Sequence, residues 1–183
     1  VAHLMVVAAI NTYAYLDLTV IGVSDAAAGL AAAGTLTITG PASSQGVVSL
    51  WVGNTRVDVA VSAADTATAI AVAMKTAIDN QPELPVTAAV AAGVLTLTAK
   101  NKGAAGNGIR LRAKTTATGT TTVVAAMAGG DIDPDIAPAL ANVVAAGHNI
   151  IISPFATQAT LTTLRTHLDF VSGPMEQRGA IGV

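Results

Sequence analysis

Three aspartates alternate along residues 131–135, which is the spacing that opens a calcium-binding EF-hand loop. They form a D-x-D-x-D pattern: Asp131, Asp133 and Asp135. That loop requires Gly at its sixth position and a bidentate Glu at its twelfth, and here these are Ile136 and Asn142. Pro134 suits the first turn of a helix, with Asp133 as its cap. The segment therefore favours a capped helix start over a metal site.

Other residue types that carry chemistry also lack the right surroundings. The glycines of the GAAGNG run (Gly103, Gly106 and Gly108) precede a β-type run rather than a helix, so they predict a turn with positive φ and not a phosphate loop. The three histidines (His3, His148 and His167) have no second histidine at i+4 and no carboxylate at ligand spacing. The sequence has no cysteine and no G-x-S-x-G turn. We therefore expect no enzyme activity, no metal and no cofactor.

Basic residues are concentrated in one short segment without an acid. Five of the nine Lys and Arg residues lie within residues 100–114: Lys100, Lys102, Arg110, Arg112 and Lys114. On a strand, the last three would share one face, while Ile109, Leu111 and Ala113 would take the other. Such a face can be merely solvated and discourage edge-to-edge pairing. It can also dock to an acidic neighbour, which makes these five residues a candidate interaction surface.

The overall composition excludes several classes of protein. The chain has 183 residues, 52% of them hydrophobic, so a sizeable folded core is expected. The net charge is −2, with 11% charged and 3% aromatic residues, which does not suit nucleic-acid binding. The longest uncharged stretches, 26–55 and 136–164, are broken by polar residues, Gly or Pro, so no membrane insertion is expected.

The middle of the chain has a β pattern with one helix. Short β-type runs separated by Thr, Gly and Asn predict strands at 35–39, 47–52, 56–61, 86–90, 94–99, 109–114 and 122–126. A helix is predicted between Val61 and Pro82, starting at a box formed by Ser62 and Asp65. Its apolar stripe consists of Ile70, Met74 and Ile78.

The flanks have an α/β pattern. Residues 1–10 resemble an apolar helix, and buried strands are predicted at 17–23, 148–153 and 179–183. Helices are predicted from Pro134 to Gly147, and at 157–171 with Leu161, Leu164 and Leu168 facing inward.

The predicted fold class is therefore α/β plus β-rich. Residues 1–32 and 130–183 would form a discontinuous α/β domain, and residues 33–129 an inserted β-rich domain carrying one packing helix. Because the pattern starts within a helix and stops within a strand, we also predict a protease-resistant fragment that lacks both natural ends.

Several motifs occur together in an order that suggests a family. They are YLDLTVIGVSDA (15–26), TLTITGPASSQGVVSLWVGNTRV (35–57), DTATAIAVAMKTAI (65–78), VLTLTAKNKGAAGNGIRLR (94–112), MAGGDIDPDI (127–136) and HNIIISPF (148–155). In this order and spacing, which span nearly the whole chain, the sequence resembles the contractile tail sheath proteins of Mu-like bacteriophages. Related sheaths occur in R-type pyocins and contractile secretion systems.

The resemblance implies a structural protein of the virion, assembled in the cytoplasm of the bacterial host. Sheath subunits stack in rings around a tail tube and contract to drive the tube through a host envelope. The implied partners are other copies of the protein and the tail tube protein, the latter through parts missing here. Since sheath subunits exchange terminal strands, this chain alone should be monomeric.

A second class stays open at this stage: a Thr- and Ala-rich β domain also suits a surface or adhesin-type binding module. A binding module should keep its affinity for a sugar or protein as a monomer, whereas a full-length sheath protein should polymerise.

Overall fold

The computed structural model describes residues 19–183. The chain divides into two compact units. One is Ala27–Ile132, and the other joins Asp133–Val183 to the described residues before Ala27. Sheets and three helices occur among the described residues, as an α/β plus β-rich class predicts.

Seven antiparallel strands form the sheets of the unit at 27–132. They are β1 (Ala33–Ile38), β2 (Gly46–Val52), β3 (Thr55–Val61), β4 (Val86–Ala91), β5 (Val94–Ala99), β6 (Leu111–Thr115) and β7 (Thr122–Ala128). One sheet has the order β4-β5-β1-β7 and the other the order β3-β2-β6. The unit also contains helix α1 (Ala67–Asp79) and a 3₁₀ turn (Ala104–Gly108). Each of the seven predicted β-type runs is a strand, with small shifts at its ends.

The core of this unit is aliphatic and follows the two periodicities of the sequence. In β1, Leu36 and Ile38 are buried, whereas the alternating Thr35 and Thr37 are only partly covered. Strands of both sheets contribute to one buried cluster, and α1 adds its predicted stripe to it: Ile70, Met74 and Ile78.

Helix α1 begins one turn later than predicted. Its N-cap is Thr66, whose hydroxyl accepts a hydrogen bond from the Ala69 amide at 3.2 Å. Ser62 and Asp65 do bond to each other, since the Ser62 amide donates to Asp65 Oδ2 at 2.7 Å. They close a separate turn, because Ala64 has a φ of +74° and a helix cannot continue through it.

Backbone hydrogen bonds hold the two ends of this unit together. The Leu30 amide donates to the Asp131 carbonyl at 3.0 Å, and the Asp131 amide donates back to Leu30 at 3.2 Å. The chain therefore leaves this unit beside the point at which it comes in.

The second unit contains α2 (Ala137–Val143), β8 (Ile150–Ile151), α3 (Gln158–Val171) and β9 (Ile181–Gly182). Strands β8 and β9 pair in parallel. The prediction of a buried strand over 148–153 is wrong in extent, because only two residues pair and Ile150 is 64% exposed. A parallel strand is buried only where layers cover both faces of its sheet, and within residues 19–183 Ile150 and Ile181 of the pair stay exposed.

The strand predicted at 17–23 is wrong over the described residues 19–23, which belong to no strand. Val20 is 51% exposed there. A β-branched run supplies strand propensity, but the strand forms only where a neighbour pairs with its backbone. Residues 17 and 18 and the helix predicted at 1–10 lie outside the described part of the chain.

The predicted start of helix α2 is also wrong. Ile136 stands at the N-cap position, and Pro138, not Pro134, lies in the first turn. Asp135 rather than Asp133 supports this start, since its Oδ1 accepts a hydrogen bond from the Ala137 amide at 2.9 Å. The helix ends at Val143, ahead of the predicted Gly147.

Helix α3 begins after Thr157 and ends at Val171, as predicted, but its buried face is shifted. Its buried residues are Thr160, Leu164, His167 and Val171. Leu161, which was predicted to face inward, is 49% exposed. The prediction chose the helix face with the most leucines. The face that is buried follows the spacing i, i+4 and i+7 and includes a threonine and a histidine.

His148 and His167 are not isolated, contrary to the sequence prediction. Their Nε2 atoms lie 3.0 Å apart, and His148 Nδ1 lies 3.3 Å from the Val143 carbonyl oxygen. Since a carbonyl only accepts, His148 Nδ1 donates to it, and in the neutral ring His148 Nε2 accepts from His167 Nε2. Their separation of nineteen residues hides this pair from a search for local ligand spacing.

Two leucines on α3 allow a matched test of the buried face. We expect Leu164→Ala to lower the free energy of unfolding by about 2–5 kcal/mol, because its side chain is 5% exposed and leaves a cavity. Leu161→Ala should change it by no more than about 0.5 kcal/mol. Urea unfolding followed by circular dichroism measures both. Equal effects of the two substitutions would contradict the shifted stripe.

The histidine pair predicts a stability that depends on pH. Burial, and then the neighbouring His148, lowers the pKa of His167 from its ordinary value of 6.5. Below that value the unfolded chain therefore binds more protons than the folded chain. The contribution of His167 to the free energy of unfolding is complete above pH 6.5. It is lost as the pH falls towards the lowered pKa of this side chain.

Unfolding free energies at about pH 7.5 and about pH 5.5 measure this loss. His167→Gln should show a smaller difference between the two pH values than the unchanged chain. An identical difference in the variant would show that His167 does not contribute.

Candidate interaction surface

Arg112 and Lys114 lie on the outer face of β6, and Arg110 immediately precedes this strand. Arg110, Arg112 and Lys114 are exposed. The residues between them pack against the aliphatic core: Ile109, Leu111 and Ala113. The alternation predicted for this run is therefore present.

The other two predicted residues occupy a different part of the unit. Lys100 Nζ donates to the Pro82 carbonyl oxygen at 2.7 Å, and Lys102 Nζ donates to the Ala27 carbonyl oxygen at 3.2 Å. Both ammonium groups thus donate hydrogen bonds to backbone carbonyl oxygens of other segments of the chain. The five residues do not form one row.

Strands β2 and β3 complete the surface with residues that sequence reasoning missed. Arg112 lies opposite Trp51 and Lys114 opposite Ser49. Trp51 in turn lies opposite Arg56, and Ser49 opposite Asp58. These six residues form two rows on the side of the sheet away from the core, and we call them the Trp51 face. The sequence does contain one indication of this surface. A two-residue hairpin loop at Gly53-Asn54 places Trp51 opposite Arg56 on the neighbouring strand.

Arg56 is held in place by three contacts. Its guanidinium carbon lies 5.4 Å from the centroid of the Trp51 ring. Its Nε donates to Asp58 Oδ1 at 2.7 Å, and its Nη2 donates to Ser49 Oγ at 3.2 Å. The Ser49 side chain, followed by that of Arg56, lowers the pKa of Asp58 through hydrogen bonds. Asp58 therefore stays ionised and neutralises Arg56.

The cations of β6 are not neutralised in this way. Among the described residues, no acidic or polar group forms an ion pair or a hydrogen bond with the side chains of Arg110, Arg112 and Lys114. Three positive charges thus stand beside one compensated arginine and one half-buried indole. This arrangement can bind carboxylates or other anions.

The remaining sequence candidates take structural roles. Asp131 Oδ1 accepts from the Ile132 amide at 2.8 Å, so two of the three alternating aspartates bind the adjacent backbone. Gly103, in the GAAGNG run considered above as a phosphate loop, has a φ of +114° at the 3₁₀ turn.

No group of three or more potential metal ligands occurs within residues 19–183. None of the helices in that range has the length and apolar character to cross a bilayer. His3 lies outside the described residues.

Comparisons with solved structures find weak similarity to flagellar cap proteins. The FliD D2-D3 domains of Escherichia coli match 65% of this chain and 77% of that structure, with 19% identity and a TM-score of 0.32. Those of Serratia marcescens match 62% and 73%, with 12% identity and a TM-score of 0.26. These values are too low to support a conclusion. No protein-family model matches the chain.

One sequence match is much stronger. The chain is 34% identical over 167 residues to the Mu-like prophage FluMu tail sheath protein of Haemophilus influenzae. The match covers 88% of this chain and 34% of that protein, so the chain spans about a third of the length of this relative. It confirms the resemblance predicted from the sequence motifs: the chain is related to the tail sheath proteins of Mu-like phages.

Proposed function

We propose that this chain forms part of a structural subunit of a contractile phage tail sheath. The observation that carries the proposal is the 34% identity with a Mu-like prophage tail sheath protein over most of the chain. Copies of the intact subunit would stack in rings around a tail tube and contract to drive the tube through a host envelope. The role is structural and not enzymatic.

The partners follow from this role. In the virion, the subunit would contact further copies of itself and the tail tube protein, after assembly in the cytoplasm of the bacterial host. This chain by itself would be largely monomeric, with only weak contacts between copies, since stable assemblies bury roughly 1,200–2,000 Å² of surface.

We further propose that the β-rich unit is an insertion into the α/β body. The support is local: the paired backbones of Leu30 and Asp131 bring the two ends of the unit together, as an insertion into a surface loop requires. The sequence placed the inserted domain at 33–129, and the compact unit at 27–132 suggests slightly wider limits.

Electron microscopy of the full-length protein tests the sheath function. We expect tubes or stacked rings, because sheath subunits polymerise through repeated contacts between copies. A full-length protein that stays monomeric and binds a glycan or a host protein would contradict the sheath and favour an adhesin-type module.

The insertion can be tested by excision. Residues 27–132 expressed alone should unfold cooperatively, since their core is their own. Residues 33–129 make a matched control. They lack Ala32, which is fully buried, and the hydrogen bonds of Leu30 with Asp131 and Gly103.

We expect the shorter piece to be less stable by about 1–4 kcal/mol, which corresponds to a few backbone hydrogen bonds. Chemical unfolding of both pieces gives the comparison. A longer piece without cooperative unfolding would overturn the insertion proposal.

A further inference from the structure

The Trp51 face has the composition of a binding surface. Trp and Arg are the residue types that dominate the energetically important positions of protein interfaces. Arg56 is already fixed by Trp51, Ser49 and Asp58, so little side-chain entropy is lost when a partner binds it. The unneutralised cations of Arg110, Arg112 and Lys114 favour an acidic partner.

Charge is distributed unequally over the chain. Residues 27–132 hold seven Lys and Arg against five Asp and Glu, a difference of +2. Residues 19–26 and 133–183 hold two against five, a difference of −3. Two copies therefore attract when the basic unit of one meets acidic residues of the other, and they repel when two Trp51 faces meet.

The densest acidic segment of the sequence lies at residues 131–135. Residues 131–135 carry three carboxylates, and no Lys or Arg occurs from residue 115 to residue 164. The acids further along are already bonded to arginines, Asp169 to Arg165 and Glu176 to Arg178. Asp135 is exposed and accepts one backbone hydrogen bond through a single oxygen.

We propose that the Trp51 face, together with Arg110, binds the acidic segment 131–135 of a second copy of this chain. Three carboxylates within five residues would meet three cations that alternate along β6. The contact is heterologous, since the two copies use different surfaces, and such contacts build open polymers unless the rotation closes a ring. It deepens the proposed sheath function by assigning one contact between neighbouring subunits.

Cysteine cross-linking tests this contact directly, because the chain has no cysteine of its own. Ala60 lies on the outer side of β3 beside the Trp51 face, and Ala137 follows the acidic segment; both are exposed. Ala60→Cys and Ala137→Cys are made as separate variants and oxidised at low ionic strength, alone and mixed. We expect the mixed disulfide dimer to exceed the share that random pairing of two equally abundant thiols would give.

Charge reversal tests the specificity of the contact. Arg112→Glu with Lys114→Glu in the Ala60→Cys chain should reduce the mixed dimer roughly 2- to 30-fold, as expected for two exposed charge pairs. Asp133→Lys with Asp135→Lys in the other chain should restore it. Lys75→Glu, the same type of change on α1, serves as the control and should have little effect. About 1 M salt, at which the screening length is about 3 Å, should suppress the mixed dimer.

Several outcomes would overturn the proposal. They are a yield of mixed dimer that does not respond to charge or salt, no restoration by the reciprocal reversal, and a dominant homodimer of Ala60→Cys. Circular dichroism of each variant establishes that the fold is retained. Since sheath tubes could form without this contact, microscopy of the full-length protein tests the proposed function separately.

Discussion

The unit at 27–132 is constrained by a core that has to be filled with small aliphatic side chains. Its only aromatic residue, Trp51, lies on the outer side of β2, so Leu, Val, Ile, Ala and Met fill the interior. Short side chains fill space only if the backbones approach closely. Gly46 shows how closely, because a Cβ there would lie 2.4 Å from the amide nitrogen of Ala117. The alternation of buried and exposed residues in β1 and β3 follows from this requirement, since a shift of one residue would move a whole row out of the core.

The same constraint determines the outer surface. Once Val57 and Leu50 are fixed in the core, their neighbours Arg56 and Trp51 must face outward on adjacent strands. The two-residue hairpin loop between β2 and β3 then aligns them, and the pairing of β2 with β6 places Arg112 in the same row. The Trp51 face is thus a consequence of strand register and needs no additional structure to hold it.

The parts of the fold that the sequence predicted are those with local causes. The strands of the β-rich unit and the stripe of α1 depend on periodicity within a few residues, and the structure contains all of them. The errors concern features that depend on distant partners. Residues 19–23 have a strand composition but pair with no strand of the described part of the chain, and the bond between His148 and His167 joins a loop to a helix. Of the candidate surface, the sequence predicted the row on β6 but not Trp51 or Arg56, because their alignment with it requires the sheet order.

The two units differ in how much of their apolar surface is buried by their own described residues. In the β-rich unit, every strand contributes at least one side chain that lies in or packs against the aliphatic cluster, and even the ends of the unit are tied by backbone hydrogen bonds. In the α/β unit, the parallel pair β8 and β9 leaves Ile150, Ile152 and Ile181 more than half exposed. Burial of aliphatic surface contributes about 25 cal/mol per Å², so side chains that stay in water contribute little. Within residues 19–183, most of the resistance to unfolding should therefore reside in the β-rich unit, and the α/β unit should open at a lower free energy.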